Sequence, residues 1–132
     1  MSASIGLLLG LDLTEVGRIA GVLERHADRF LARVFREGEI RRSRRHPRAF
    51  AEHVAGRFAA KEAAMKALGT GWRGIAFREI EVGRDARGKP LLAFHGRALV
   101  RARSLRVVSA EVSITHGRDI AAAVVALVTA PG

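Results

Sequence analysis

In the stretch Phe50-Ala51-Glu52-His53-Val54-Ala55-Gly56-Arg57-Phe58-Ala59-Ala60-Lys61-Glu62-Ala63-Ala64-Met65-Lys66-Ala67-Leu68-Gly69, alanine recurs and proline is absent. Phe50, Val54, Phe58, Met65 and Leu68 return at helical spacing. Extended back to Arg48, the pattern predicts one long helix over 48–68, because alanine is the best helix former and a following glycine readily takes the left-handed conformation that ends a helix. The polar residues Arg57, Lys61, Glu62 and Lys66 form a stripe along it. Glu62 stands four residues before Lys66, the spacing of an exposed pair that contributes only ~0.3–0.5 kcal/mol, so a solvated face accounts for the stripe. The residue types allow another reading: one acid flanked by cations suits a magnesium-bound phosphate, the acid holding the metal and the cations the phosphoryl oxygens.

Upstream, Arg36 to Arg48 holds six arginines against two glutamates and includes His46-Pro47, where proline disfavours helix in the residue before it. This predicts a solvated basic connection. Before it, Thr14 can cap a helix that turns Val16, Ile19, Ala20 and Leu23 inward and Arg18 and Arg25 outward, continuing in broken form through Phe30, Val34 and Phe35. Ile5 to Leu13 alternates, with Leu7, Leu9, Leu11 and Leu13 on one face and Leu8, Gly10 and Asp12 on the other. It reads as a buried strand carrying one acid. A buried carboxylate needs a cation or donors, so Asp12 either pairs with an arginine or holds a metal, and Gly10 beside it leaves space for a ligand.

Downstream, Phe77 to Val82 and Leu91 to Phe94 read as strands joined through Asp85-Ala86-Arg87-Gly88, and Arg97 to Leu105 as a short helix. Val107 to Thr115 and Ile120 to Val128 are β-branched-rich runs around the turn His116-Gly117-Arg118-Asp119. A strand, then helices, then mostly strands is an α+β order, here one main long helix packed on a mostly antiparallel sheet. Gly83 to Pro90 imitates a phosphate-binding loop, but Pro90 replaces the final hydroxyl and no helix follows, so the segment is a turn.

A chain of 132 residues buries one core, so residues 1–132 form a single domain. The absence of cysteine excludes disulfides, a thiolate nucleophile and cysteine-bound zinc. Asp12 interrupts the amino-terminal apolar run before it could span a bilayer, which reads as no membrane segment and a cytoplasmic protein. The net charge of +10 predicts an acidic partner. Six Phe, one Trp and no Tyr offer few stacking platforms for single-stranded nucleic acid. His116, beside Thr115 and Ser113, is a candidate phosphate donor or proton carrier. The other histidines lack metal-ligand spacing, and Ser113 sits in no nucleophile elbow.

Gly10-Leu11-Asp12-Leu13-Thr14-Glu15-Val16 with Arg18-Ile19, and Arg57 through Gly71, together closely resemble holo-acyl-carrier-protein synthase, the small bacterial type of 4′-phosphopantetheinyl transferase. Glu79-Ile80-Glu81-Val82, Gly88-Lys89-Pro90 and Val112-Ser113-Ile114-Thr115-His116 fit the same pattern. The resemblance implies transfer of the phosphopantetheine arm of coenzyme A to a serine of acyl carrier protein, releasing adenosine 3′,5′-bisphosphate, in a homotrimer. Carried over, it makes Asp12 and Glu62 magnesium ligands, Glu62 and Lys66 the catalytic pair, and Arg57, Lys66 and His116 the contacts to coenzyme A. Arg18 and Arg25 become the docking surface for the acidic carrier. For a three-fold interface, Val108, Ala110, Val112, Val124 and Ala126 are the candidates. The competing reading is a non-catalytic basic module that binds nucleic acid through Arg36 to Arg48 and needs neither Asp12 nor Glu62.

Overall fold

The computed structural model describes residues 5–70 and 74–132. Strand β1 (Gly6–Glu15) leads into helix α1 (Val16–Val34), and a connection reaches helix α2 (Pro47–Leu68). A 3₁₀ turn at Phe77–Glu79 precedes β2 (Ile80–Arg84) and β3 (Pro90–Phe94), followed by helix α3 (Gly96–Ser104), β4 (Val107–His116) and β5 (Ile120–Thr129). The expected α+β class is present, with antiparallel pairing throughout: a three-stranded sheet in the order β1-β5-β4 and a separate β2-β3 hairpin. No described helix is long and apolar enough to cross a membrane.

Helix α2 starts where Pro47 fixes the backbone at the first turn and ends at Gly69, whose φ of 75° is left-handed. Gly71 of the expected turn lies outside the described residues. Fourteen of the helix's 22 residues are buried, so it is covered on most sides rather than along one stripe. Ala59, Ala60, Ala63, Ala64 and Leu68 pack on Val112, Val125 and Leu127 of the sheet. Toward its start, Phe50, Val54 and Ala55 close a second cluster with Val16, Ile19, Val34 and Phe35. Small residues let the backbones approach: a Cβ on Gly10 would overlap the Ala63 carbonyl. The space beside Asp12 is therefore filled by α2 and is not left for a ligand.

Four further expectations are corrected. Thr14 lies in β1 and caps nothing; Glu15 occupies the cap position without a side-chain bond. The alternation of β1 is real, but Leu7, Leu9, Leu11 and Leu13 face outward, each 60–66% exposed, while Gly10, Asp12 and Thr14 face α2. Phe77–Glu79 is helical rather than strand. The connection before α2 is not simply solvated: Glu39 is buried, and Arg36 donates to the Arg78 carbonyl at 2.6 Å. The break expected in the first helical region falls at His26, whose φ and ψ are non-helical. The Gly83–Pro90 segment is a turn, held by Asp85 Oδ1 accepting from the backbone of Arg87 and Lys89 at 2.9 Å each.

Candidate functional site

Asp12 leaves β1 on the face covered by α2 and is 7% exposed. Its Oδ2 accepts from Thr14 Oγ1 at 2.9 Å, and its Oδ1 accepts from Lys66 Nζ at 3.1 Å. The same ammonium donates to the Leu11 carbonyl at 3.0 Å. The partner of Asp12 is thus a lysine, not the arginine expected of a buried pair. Lys66 reaches it from an exposed position on the last turn of α2, with about half its side chain in solvent, so the ammonium can turn away without unfolding anything.

Glu62 sits one turn before Lys66 and is half-buried. Burial and then the negative charge of Asp12 push its carboxyl up from the ordinary range, while Lys66 and Arg18 act against the rise. A carboxyl group whose ionisation is opposed by burial and by a neighbouring carboxylate marks a place where a cation is stabilising. Among the described residues no three of His, Cys, Asp or Glu converge as a metal cage. The pair Asp12 and Glu62 is a donor set that magnesium accepts, since magnesium keeps its waters and takes one or two carboxylates together with substrate phosphates. The donor set therefore fits a magnesium ion shared with a phosphate ligand.

Lys61 belongs to the predicted stripe but not to the site. It is fully buried, and its Nζ donates to Glu39 Oε1 at 2.9 Å and to the carbonyls of Phe77 and Ile80 at 3.0 and 2.6 Å. Burial pulls the ammonium down to about 8, with Glu39 opposing. Glu39 also accepts from the backbone of Arg36 and Val82. The pair ties the connection, α2 and β2 together, and no phosphate contact is left for Lys61.

Arg57 is 8% exposed, two turns before Lys66 on α2. His116 ends β4, and its Nδ1 lies 3.2 Å from Glu52 Oε1, which fixes the ring. His53 and Arg84 stand in the same electrostatic neighbourhood as Arg57. Arg18 and Arg25 are exposed on α1 as expected, and the charge of Arg18 reaches Glu62. The fold thus brings Asp12, Glu62, Lys66 and Arg18 together, and places Arg57 and His116 with Glu52, His53 and Arg84. Residue patterns had left out Glu39, Glu52, His53 and Arg84. His53 alone carried a local signal, four residues before Arg57 on the same helix.

A sequence profile of the 4′-phosphopantetheinyl transferase superfamily matches residues 8–125, a span that includes every one of these positions. The holo-[acyl-carrier-protein] synthase of Solidesulfovibrio magneticus is 51% identical over 120 residues, covering 90% of this chain and 95% of that protein. The one from Gloeobacter violaceus is 43% identical over 120 residues, 91% of either chain. Among solved structures, Plasmodium yoelii acyl carrier protein synthase with ADP bound superposes at a TM-score of 0.84 with 28% identity, covering 96% of this chain and 98% of that one. The Helicobacter pylori holo-[acyl-carrier-protein] synthase in complex with coenzyme A gives 0.78 with 27% identity, covering 91% and 99%.

Proposed function

The chain belongs to the 4′-phosphopantetheinyl transferase superfamily, and from that membership we propose that it moves the 4′-phosphopantetheine arm of coenzyme A onto a serine of apo-acyl carrier protein, releasing adenosine 3′,5′-bisphosphate. The observation that carries the reading is the meeting of Asp12, Glu62 and Lys66 where β1 lies against α2. Asp12 and Glu62 would hold magnesium, which supplies charge neutralisation for the pyrophosphate as its P–O bond breaks. In the chain alone the Lys66 ammonium satisfies Asp12; with substrate present it turns to phosphoryl oxygens and offsets the charge that develops there. Arg57 and His116 hold phosphates of coenzyme A, with Glu52 keeping the imidazole oriented. The residues thus act by positioning and electrostatics.

The docking surface in this reading is the exposed basic face of α1, with Arg18 at its site-proximal end and Arg25 farther along. The chain would work in the cytoplasm, where apo-carriers are made, as a homotrimer. Support for assembly comes from the outer face of the three-stranded sheet, where Leu7, Leu9, Leu11 and Leu13 line up with exposed Ile120 and Val124. Of the interface candidates, Val108 and Val124 are exposed. Val112 is buried, and Ala110 packs against the core on the α2 side, so both drop out. The test is incubation with coenzyme A, magnesium and purified host carriers, followed by the intact mass of each carrier. A gain equal to the arm supports the reading. Its absence with every carrier, together with steeply salt-dependent binding of nonspecific nucleic acid, would favour a basic binding module instead.

A further inference from the structure

Among the described residues, three shielded side-chain nitrogens in one neighbourhood have no hydrogen-bond partner: His53 Nε2, Arg57 Nε and Arg84 Nη2. His53 and Arg57 lie four residues apart on α2, and Arg84 ends β2. Native folds leave few buried donors unpaired, because each costs about 1–3 kcal/mol. Arg57 Nε and Arg84 Nη2 are donors for which the described residues supply no acceptor, and His53 Nε2 joins them as a third donor when the imidazole is protonated.

Charge identifies the acceptor. His53 faces Arg57 from its own helix, Arg84 from β2, Arg42 from the connection before α2 and His116 from β4. Burial first, then those positive charges, hold its imidazole down at about 4, so it is neutral near pH 7. Burial and Arg84 also lower Arg57, with Glu39 opposing. Both carboxylates of this region are already engaged, Glu39 by Lys61 and two backbone donors and Glu52 by His116. A neutral imidazole among guanidinium groups fits an anion with several oxygens, which is the chemistry of a phosphoryl group.

We propose that His53, Arg57 and Arg84 form a proton-coupled anion clamp, in which a phosphoryl oxygen of the substrate settles among the three unpaired nitrogens as His53 takes up one proton from solvent. The clamp rests on the coenzyme A reading given above and adds residues and a protonation step to it. A bound dianion opposes the field of the arginines, so the imidazole becomes basic enough to protonate and to donate to the phosphoryl oxygen. When the ligand leaves, the proton leaves too, and the free protein is spared another buried cation beside the arginines. Ligand affinity must then fall as pH rises through the pKa that His53 has in the complex.

Coenzyme A carries two phosphoryl sources, its 3′-phosphate and its pyrophosphate. The test is calorimetric titration of the whole chain with coenzyme A and magnesium near pH 6, in two buffers of different ionisation enthalpy. The wild type should take up about one proton more per coenzyme A than His53→Gln, a difference in which the ionisation of the phosphate itself cancels, and His53→Gln should bind about tenfold more weakly, as should Arg84→Ala. Repeating the titrations with 3′-dephospho-coenzyme A separates the sources: a difference that disappears assigns the clamp to the 3′-phosphate, and a difference that persists assigns it to the pyrophosphate. Coenzyme A binding with proton uptake unchanged in His53→Gln overturns the clamp and leaves the transferase reading standing. No binding of coenzyme A by the folded chain overturns both. Should His53→Gln disturb the fold, the imidazole carbon-bound proton of His53 in the wild type reports the same step by nuclear magnetic resonance. Its pKa should rise from about 4 to about 7 with coenzyme A, as uptake of about one proton near pH 6 requires, and a pKa that stays below about 5 rejects the clamp.

Discussion

Both oxygens of Asp12 are occupied by side-chain donors, and the more mobile donor, Lys66, is the one that a metal ion and its phosphate ligand would displace. Asp12→Asn and Glu62→Gln keep shape and remove charge, so each should lower transfer at saturating coenzyme A by at least about a hundredfold. Their melting temperatures should stay close to that of the parent, because Lys66 is solvated and Glu62 only half-buried. Either variant turning over normally at limiting magnesium would remove that residue from the metal site. His53 yields a stability prediction that needs no ligand. Its folded value is about 4 against an ordinary 6.5, so between those pH values the unfolded chain binds a proton that the folded chain refuses. Stability should therefore drop as pH falls from about 6.5 to about 4. Denaturant titrations should show a shallower drop over that window for His53→Gln, and parallel curves would mean that His53 is not the group responsible.

At the scale of elements, two joints hold α2. One is the close approach of β1 at Gly10, where a methyl group has backbone and not a flexible side chain in its way. Gly10→Ala should cost about 1–3 kcal/mol by forcing strand and helix apart, and it should also impair transfer, since Asp12 moves with the strand. The other joint is the Lys61–Glu39 pair, buried at both ends. Lys61→Met leaves the Glu39 carboxylate without its cation and the carbonyls of Phe77 and Ile80 without that donor. A loss of about 3–5 kcal/mol is expected, part of which Glu39→Gln in the same chain should restore. Equal stability of the single and double variants in chemical denaturation would show that the pair carries no coupling.

At the scale of the whole molecule, an outward row of leucines is a costly surface for a lone subunit. A carboxylate in the middle of that row opposes burial against another copy, so Leu9→Glu should shift sedimentation toward the monomer and reduce activity with it. A parent chain that sediments as an active monomer would sink the trimer. Charge distribution separates the two substrates. Arg25→Glu should raise the Michaelis constant for the acidic carrier many-fold and leave that for coenzyme A unchanged, an effect weakened by salt once the Debye length falls below ~8 Å. Arg18→Glu should alter both constants, because the charge of Arg18 reaches Glu62. If Arg25→Glu has no effect on the carrier, the acceptor docks elsewhere.

Local signals in the chain were enough for α2 and its ends, the strands and turns after residue 80 and the outward placement of Arg18 and Arg25, while the family resemblance singled out Asp12, Glu62 and Lys66, which the fold brings together. Helical spacing, a proline in the first turn and a glycine after the end are local signals, and local energetics set those elements. Tertiary structure alone decided which face of β1 is covered. A period of two places the leucines together, but only the close packing of an alanine-rich helix against Gly10 says that they point away from it. It also decided that Lys61 is a buried anchor while Lys66 is free to move: two lysines on one helix look alike in sequence, and only the chain folding over one of them distinguishes them. Glu39 was hidden for the same reason, as an acid in an arginine run reads as solvated until its partner arrives from 22 residues away.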